Sequence, residues 1–401
     1  MNELRVLYLD TPFENLPGGD KNRSRFLWWA LGEHFDTRLA LIAPETADAP
    51  PVWHQFRPLA VFPPRRPPFP RPDAAPGFCY ADHRQLLELV RREKFDLVFC
   101  RFTVGWELLA ALTRALPNLR IVMDVDLVSS RLVGLTWAAH RAFNRRGVLF
   151  EKWKLQHFER RLFCQPWLFL FTNPLELAGV RNHVAPRPPP GRFALLPNIM
   201  QPVRELNPPR RPVILFFGSL DSSANIDAFH FLVDAVLPKI EPDLKRLQVK
   251  IRVVGKNPPP ALAAKLRASH GDCVDLTGPV ASIEQALAEC LFVLLPLRIA
   301  SGTRTRILEA AALGRAVVTT PTGAEGLDLG RTVLLGDTAH ELAEHTRQLL
   351  HHPEIAAALG RRLRTRALSL YATGKVAGDL AEAVKAFATR TNATAPVASP
   401  W

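Results

Sequence analysis

Short apolar runs alternate with helical patterns most clearly between residues 291 and 327. The stretch opens with Leu291 to Leu295, an apolar run whose length is typical of a buried strand. A proline ends the run, and apolar residues then recur at helical spacing between Thr303 and Leu313, followed by Gly314 where a helix commonly ends. A second β-branched run, Ala316 to Thr319, comes next. The pattern predicts a strand–loop–helix–strand unit of a parallel sheet.

The same alternation recurs along the rest of the chain. We predict further strands over residues 5–9, 37–43, 96–99, 119–123, 167–171, 193–196, 213–217 and 249–254. We predict further helices over residues 23–35, 83–93, 150–163, 225–237, 283–290, 339–350, 355–370 and 375–390. The proline-dense segment 49–76 is predicted to be irregular. Strands that alternate with helices indicate an α/β protein.

The chain is too long for one ordinary core. Its 401 residues fit two domains of typical size, and a hydrophobic fraction of 47% favours globular folding. The segment from Gln201 to Pro212 is rich in proline and arginine, a composition typical of a linker between domains. We therefore expect one sheet on each side of this segment.

The charge balance narrows the class of partner. With 51 Lys and Arg against 38 Asp and Glu, the formal net charge is +13, which favours anionic lipids, nucleic acid or phosphate-bearing substrates. No nucleic-acid-binding motif accompanies the charge, so we do not predict nucleic-acid binding. The predicted helix 150–163 combines basic and aromatic residues and is a candidate for lying on an anionic membrane. The alternative is a core-facing helix whose basic side chains extend to water.

The cysteines and the chain start bear on compartment. No C-x-x-C spacing occurs among the five cysteines, which are Cys79, Cys100, Cys164, Cys273 and Cys290. We expect reduced thiols and no structural metal. The first residues begin a strand directly, without the pattern of a signal peptide, and no apolar run reaches the length of a membrane span. These features predict a cytoplasmic protein, with peripheral membrane contact as a further candidate.

Candidate chemistry lies where the helix of the 291–327 unit begins. Ser301, Gly302 and Thr303 lie at the entry to that helix, where backbone N–H groups and the helix dipole attract an anion. The basic residues around this point are Arg298, Arg304 and Arg306. Glu309 follows Thr303 by about 9 Å along the helix axis. This spacing suits a nucleotide diphosphate with its ribose at Glu309; the alternative is an ordinary βαβ unit with a solvated basic face.

Further candidates in the first half follow predicted strands. Gly18, Gly19 and Arg23 lie in or after a glycine- and proline-rich loop behind the first strand, where α/β folds bind ligands, although this loop lacks a dinucleotide-binding pattern. They are candidates for contacting a ligand, and the alternative for the loop is a bare turn. Asp124 and Asp126 end a strand, where ligands of open α/β sheets bind. We expect these two acids to point to opposite sides of the extended backbone, so they do not form an obvious acid–base pair. Either is a candidate for binding a hydroxyl, with loop capping as the alternative.

The segment PLRIASGTRTRILEAAALGRAVVTTPTGAEGL, residues 296–327, resembles the donor-binding segment of the group 1 glycosyltransferases, a large family of retaining enzymes with the GT-B fold. That family carries a Glu-x7-Glu signature. Here the second glutamate is Glu309, and the first position holds Ser301, a loss that is common in one branch of the family. The resemblance implies two Rossmann-like domains with parallel sheets that face each other across a cleft.

The resemblance also implies a domain plan and a function. It implies an acceptor-binding domain over residues 1–205, a nucleotide-sugar-binding domain over 206–375, and a C-terminal helix and tail over 376–401 that return to the first domain. The function implied is transfer of a hexose from a nucleotide-diphosphate sugar to an acceptor hydroxyl, with retention of configuration, in the synthesis of cell-surface polysaccharide or glycolipid. The acceptor is a carbohydrate, a lipid-linked sugar or a small molecule, and neither a cofactor nor a metal is implied.

Further site residues follow from the resemblance. Gly218 and Ser219 match the opening of the donor-phosphate loop, but the basic residues that many members carry there are missing, and Arg304 or Arg306 is expected to supply the charge. Lys256 and Glu325 are additional candidates for the donor side. Arg101 lies just past a predicted strand, near the place of a histidine in many members, and is a catalytic candidate. The alternatives are an inactive nucleotide-sugar-binding subunit and a nucleotide-sugar epimerase of the same fold.

Overall fold

The structure of the protein is a computed structural model. It describes residues 4–11, 18–43, 56–62, 83–101, 106–139, 145–183, 193–201, 203, 213–220, 222–256, 260–299 and 304–389. The chain divides into two compact units. The first comprises Met1–Asp126, Trp153–Leu196 and Ala377–Trp401, and the second comprises Leu127–Lys152 and Pro197–Val376. The predicted domain boundary at residue 205 lies outside the described residues.

The first unit is built on a sheet of seven parallel strands. They are β1 Arg5–Asp10, β2 Asp36–Ile42, β3 Ala60–Phe62, β4 Leu97–Arg101, β5 Arg120–Val125, β6 Leu168–Phe171 and β7 Phe193–Leu195. Their order is β3-β2-β1-β4-β5-β6-β7, with every neighbouring pair parallel. The direction of winding therefore reverses between β1 and β4. Ligands of open α/β sheets bind beside such a reversal, at the carboxyl ends of the strands.

Helices connect these strands. They are α1 Gly18–His34, α2 His83–Glu93, α3 Trp106–Ala115, α4 Ser129–Ala139, α5 Arg145–Phe163 and α6 Pro174–His183. Of these, α4 and the part of α5 up to Lys152 belong to the second unit. Strands β1, β4, β5 and β6 are almost fully buried because both faces of a parallel sheet are covered by its crossover helices. The rings of Phe163, Phe169, Phe171 and Phe193 pack together with centroids 5.1 to 6.2 Å apart. This aromatic group closes the core at the β6–β7 edge.

The second unit is built on a sheet of six parallel strands. They are β8 Val213–Phe217, β9 Lys250–Val254, β10 Val274–Gly278, β11 Cys290–Leu295, β12 Ala316–Thr319 and β13 Leu334–Leu335, in the order β10-β9-β8-β11-β12-β13. Its helices are α7 Ser223–Phe231, α8 Leu237–Leu247, α9 Pro260–His270, α10 Ile283–Ala288, α11 Thr305–Ala312, α12 Pro321–Ala324, α13 Ala339–His351 and α14 Pro353–Tyr371. A π-helical turn, Leu232–Val236, joins α7 to α8. The last helix of the chain is α15 Thr373–Ala388.

The predicted α/β class with parallel sheets is confirmed. Three predicted elements, α2, β8 and β12, have the predicted bounds. Several elements were not predicted, namely α3, α4, α6, α8, α9, α12, β3, β10 and β13. The strand β3 corrects the prediction that segment 49–76 is irregular throughout, because residues 60–62 pair with β2. No helix within the described ranges is both long and apolar enough to cross a membrane.

One close approach of two backbones in the second unit yields a stability prediction. A Cβ atom placed on Gly360 of α14 would overlap the carbonyl oxygen of Gly314, the residue that follows α11 with φ 64°. We expect Gly360→Ala to destabilise the protein by about 2 kcal/mol, because α14 must move away from the sheet. Thermal unfolding followed by circular dichroism measures the loss. The control is Gly378→Ala in α15, where an added Cβ meets nothing within 4 Å; an equal loss in both variants would contradict the packing argument.

Candidate functional site

The turn after β8 lies against the start of α11. Gly218 follows β8 and donates its N–H to the carbonyl oxygen of Val254 at 2.9 Å. Its φ is 149°, a value that favours glycine, and a Cβ atom there would lie 2.5 Å from Nη1 of Arg306 and 3.1 Å from Nδ2 of Asn225. Gly218 therefore allows the guanidinium group and the backbone of this turn to approach each other.

Arg306 is held in this turn by two neutral groups. Its Nη1 donates to the carbonyl oxygen of Phe217 and its Nη2 to Oδ1 of Asn225, each at 2.8 Å. Burial lowers the pKa of Arg306 to about 10, and the nearby Glu309 opposes this shift. Within the described ranges the guanidinium group has no bonded carboxylate. An anion that bound beside it would therefore gain the attraction of a charge that the protein has not neutralised.

Glu309 lies one turn further along α11. The side chain is half-buried, and burial raises its pKa, with Arg306 lowering it and Glu284 raising it further. No hydrogen bond from the described residues reaches its carboxylate. An ionised carboxylate offers acceptor positions only, so its natural partners here are hydroxyl groups. Arg306 and Glu309 thus present an anion-binding group and a hydroxyl-binding group on one helix.

Arg298 differs from the prediction that it contributes free positive charge. Its Nε and Nη2 donate to the two carboxylate oxygens of Asp227 at 3.0 and 2.6 Å. Its guanidinium group also lies over the ring of Phe231, 4.5 Å from the centroid. Asp227 is 2% exposed, so this is a paired, largely desolvated carboxylate. The structure therefore assigns Arg298 to the packing of α7 against the loop after β11.

The remaining predicted donor-side residues fall into three groups. Ser301, Gly302 and Thr303 lie outside the described residues. Arg304 precedes α11, which begins at Thr305 rather than at the predicted Thr303, and Lys256 is exposed on the turn after β9. Glu325 follows α12 and forms an ion pair with Arg131 of α4 at 2.5 Å. The backbone oxygen of Ser219 accepts a hydrogen bond from Nδ2 of Asn225 at 2.6 Å.

The first unit contains a buried polar network where its strands end. The parallel register of β4 and β5 places Arg101 opposite Asp124. Nε and Nη2 of Arg23 bind the two carboxylate oxygens of Asp124 at 2.9 and 2.5 Å, and Nε of Arg101 lies 3.5 Å from Asp124. Arg101 and Asp124 are 1% and 0% exposed. This burial corrects the expectation that Arg101 and Asp124 contact a substrate, because their polar groups are turned toward each other beneath the surface.

Two further strand-end residues complete this network. The Tyr8 hydroxyl donates to Oδ2 of Asp10, the last residue of β1, at 2.6 Å. Burial raises the pKa of Asp10, and Arg101 and the Tyr8 hydroxyl oppose the shift. Burial also raises the pKa of Tyr8. Asp10 therefore shares the Arg101 charge with Asp124, and one guanidinium group joins the carboxyl ends of β1, β4 and β5.

Gly18 and Gly19 form the first turn of α1, whereas we predicted that they belong to a loop before a helix at Arg23. This extra turn carries Asp20, whose backbone oxygen accepts a hydrogen bond from Nη1 of Arg101 at 2.7 Å. Arg101 also donates to the Ser24 hydroxyl. The early start of α1 is therefore tied to the buried network. The two glycines are corrected from a loop to a helix start, and their role in a ligand site stays a prediction.

Asp126 is the acidic residue of β5 and its following turn that reaches the surface. It lies just beyond β5, its side chain is 20% exposed, and its Oδ2 is 4.0 Å from Nη2 of Arg101. Burial raises the pKa of Asp126 to about 7, Arg101 and Arg23 lower it, and Asp20 and Asp124 raise it. Asp124 and Asp126 therefore both face Arg101. This corrects the expectation that they point to opposite sides, because residues i and i+2 of an extended strand lie on the same face.

Six residues of these networks were not predicted from the sequence, namely Asp10, Asp20, Ser24, Tyr8, Asn225 and Asp227. The last two lie two positions apart near the start of α7, and each binds one arginine of the β11–α11 segment. An Asn-x-Asp pair at the start of a helix is too common a pattern to be recognised alone. Within the described ranges no group of three or more His, Cys, Asp or Glu side chains is arranged to hold a metal ion.

Solved structures share this fold. The sucrose-phosphate synthase of Thermosynechococcus elongatus superposes with a TM-score of 0.69 at 16% identity, over 96% of this chain and 98% of that one. HepE of Anabaena, solved in complex with UDP and glucose, gives 0.63 at 15% identity over 95% and 99%. A glycosyltransferase of Rickettsia africae gives 0.68 at 10% identity over 98% and 100%. These likenesses confirm the predicted GT-B fold with two Rossmann-like domains.

The sequence itself carries a family match in the second unit. Residues 211–352 match the model described as glycosyl transferases group 1. The matched range begins before β8 and ends after α13, so it contains the Gly218 turn, Arg306 and Glu309. The predicted resemblance and the predicted class of enzyme, a glycosyltransferase, are confirmed by this match. No curated protein sequence matches the chain.

Proposed function

We propose that the protein is a retaining glycosyltransferase that takes a sugar from a nucleotide-diphosphate donor held by the second unit. The observation that carries the proposal is the pair Arg306 and Glu309 on α11, one a cation without a bonded carboxylate and the other a carboxylate without a bonded donor in the described residues. The diphosphate lies by Arg306 and the Gly218 turn, and the ribose hydroxyls donate to Glu309. The contacts of Ser301, Gly302 and Thr303 with the diphosphate stay a prediction from the sequence, and Arg304, which precedes α11, adds positive charge.

Catalysis of this reaction requires that the leaving diphosphate be stabilised. Negative charge grows on the diphosphate as its bond to the sugar breaks, so a preorganised cation beside it favours the transition state over the ground state. Arg306 meets this requirement because its position is set by Phe217 and Asn225 before any ligand arrives. The proposal needs no cofactor beyond the nucleotide sugar. Retention follows from the family resemblance and is tested by the anomeric configuration of the product in NMR spectra.

Calorimetric titration with UDP and with GDP tests the donor site. We expect one of them to bind at one site with a Kd between about 1 µM and 1 mM, the range usual for enzyme substrates. UDP is the first choice because HepE, a structural neighbour, was solved with UDP. Binding of neither nucleotide to folded protein would refute the proposed donor site. Binding without turnover of any nucleotide sugar would instead identify an inactive nucleotide-sugar-binding subunit. The replacement of the first glutamate of the Glu-x7-Glu signature by Ser301 favours this alternative.

We propose Asp126 as the group of the first unit that binds the acceptor hydroxyl. Its carboxylate is partly exposed at the carboxyl end of the central strands, and its Oδ2 lies 4.0 Å from Nη2 of Arg101. The ionised form accepts the hydroxyl hydrogen bond, and the protonated form competes with it. We expect turnover to rise with pH through about 7, the pKa of Asp126, and to level off above it. Asp126→Asn is expected to lower the plateau and to remove this rise; an unchanged profile would exclude the role.

We propose that α5 brings the protein to an anionic membrane. Leu149, Phe150 and Trp153 are 52%, 61% and 57% exposed and lie on one face of the helix, close to Lys154 and Arg160. Aromatic side chains beside cations suit the interface of a bilayer with acidic lipids. The acceptor of such an enzyme is a lipid-linked or cell-surface carbohydrate; WaaG, a structural neighbour, is described as involved in lipopolysaccharide biosynthesis. No disulfide joins the four cysteines of the described ranges, which suits the cytoplasmic side.

Vesicle sedimentation tests the α5 surface. We expect the protein to sediment with vesicles containing phosphatidylglycerol, and the double variant Phe150→Ser with Trp153→Ser to lose most of this binding. Leu175→Ser in α6 is the matched control, because Leu175 is also 52% exposed but lies on another helix. Equal binding by the wild type and the double variant would remove α5 from the account and leave the donor site untouched.

A further inference from the structure

The start of α7 supplies one acidic and one neutral partner to two arginines. Asp227 binds Arg298 with both carboxylate oxygens, so the charge of that guanidinium group is balanced inside the protein. Two residues earlier, Asn225 accepts from Arg306 with its amide oxygen at 2.8 Å. An amide accepts the same hydrogen bond as a carboxylate, but it carries no negative charge that would balance the charge of the arginine. The charge of Arg298 is therefore balanced by a carboxylate and that of Arg306 is not, and both partners come from one helix.

Asn225 also reaches the turn after β8. Its Nδ2 donates to the backbone oxygen of Ser219 at 2.6 Å while its Oδ1 accepts from Arg306. Ser222, the N-cap of α7, accepts from the backbone N–H of Asn225 and fixes the start of the helix. A single side chain thus ties Arg306 to the backbone that follows Gly218. An aspartate here would keep the bond to Arg306 and lose the donation to Ser219.

We propose that Asn225 is a positioning residue that holds Arg306 beside the Gly218 turn without balancing its positive charge, so that this charge is available to the diphosphate of the nucleotide donor. The inference rests on the proposed function and adds to it the residue that prepares its cation. The pKa of Arg306 is consistent with it, since burial lowers that pKa to about 10 and no bonded carboxylate in the described ranges restores it. Arg306 contacts the ligand, and Asn225 acts only through Arg306.

The isosteric variant Asn225→Asp separates charge from packing. It places a carboxylate on the Arg306 guanidinium group and so neutralises the cation before the ligand binds. We expect at least tenfold weaker calorimetric binding of UDP, a smaller loss for UMP and no change for uridine, because the penalty follows the number of phosphate charges. The melting temperature is expected to stay within a few degrees of the wild type, because a new ion pair replaces a hydrogen bond. Where the wild type binds GDP instead, the guanosine series replaces the uridine series.

Two further variants complete the test. Asn225→Ala removes the bond and leaves Arg306 charged but less constrained, so its loss of UDP affinity is expected to be smaller than that of Asn225→Asp. Lys239→Gln removes a charge from the exposed face of α8 without touching Arg306, and serves as the control for bulk electrostatics. Unchanged UDP binding by Asn225→Asp, or equal losses for UDP and uridine, would overturn the inference. A wild-type protein that binds neither UDP nor GDP would instead overturn the proposed function, and this inference with it.

Discussion

Glu309→Ala is expected to weaken UDP binding by about 100-fold, or roughly 2.7 kcal/mol. Hydrogen bonds to a charged group contribute about 1.5 to 3 kcal/mol each when they are lost. Glu309 is half-buried on α11 and accepts no hydrogen bond from the described residues, so its carboxylate is available to the two ribose hydroxyls. Isothermal calorimetry with UDP measures the change. Glu309→Gln keeps one carbonyl acceptor and is expected to give an intermediate loss.

A ligand lacking the hydroxyls gives the sharper form of this test. We expect 2′,3′-dideoxy-UDP to bind the wild type as weakly as UDP binds Glu309→Ala, and the variant not to distinguish the two nucleotides. Glu284→Gln is the matched control, since Glu284 is exposed on α10 and contributes only a distant negative charge to Glu309. If the variant still preferred UDP over the dideoxy nucleotide, Glu309 would not be the ribose group.

Asp124→Ala is expected to destabilise the protein by roughly 3 to 5 kcal/mol, the range for removing one partner of a buried ion pair. The variant leaves Arg23 and Arg101 with buried positive charge and one carboxylate fewer to balance it. A loss of this size corresponds to a fall of about 10 °C in the melting temperature of a unit this large. Differential scanning calorimetry measures it.

Asp126→Asn is the control for the stability prediction. The pKa of Asp126 is raised in the folded state, so its ionisation opposes folding as pH rises from the ordinary aspartate value toward about 7. At pH 8 this stabilising contribution of the bound proton is already lost, and a neutral asparagine is expected to be no less stable than the wild type. A large loss in Asp126→Asn, or none in Asp124→Ala, would show that the charge network is assigned to the wrong residues.

The sequence predicts the segment from β11 to β12 well because its elements are short and their periods are clear. The helix near Glu309 lies between two apolar strands, and Gly314 follows it with a positive φ, as the C-terminal glycine pattern predicts. The motif that carries the resemblance lies in the same place. Local pattern and family signature therefore agree there, and the bounds of β12 were predicted to the residue.

Burial and pairing are what the sequence does not reveal. Arg101 and Asp124 read as strand-end residues exposed to a ligand, but the parallel register of β4 and β5 sets them side by side beneath α1. The same limit applies to Arg298, whose charge is balanced by Asp227 from a helix 71 positions earlier in the chain. Residues distant in the chain determine which of several arginines is paired with a carboxylate, and local spacing in the sequence does not show this.

The predicted start of α1 was also wrong, because this helix begins at two glycines. Gly18 and Gly19 favour a loop by local preference, because glycine in a helix is unfavourable by about 1 kcal/mol relative to alanine. The structure nevertheless extends α1 over them, and the backbone oxygen of Asp20 in this added turn binds the buried Arg101. Tertiary hydrogen bonds therefore outweigh local preference at this position.

Release of nucleoside diphosphate from a panel of UDP- and GDP-sugars is the most direct test of the central claim. The account predicts that the wild type consumes one donor of the panel, slowly with water and faster with the correct acceptor, and that Glu309→Ala loses this activity while remaining folded. Folded wild-type protein that releases no nucleotide from any of these donors, with or without carbohydrate acceptors, would contradict it.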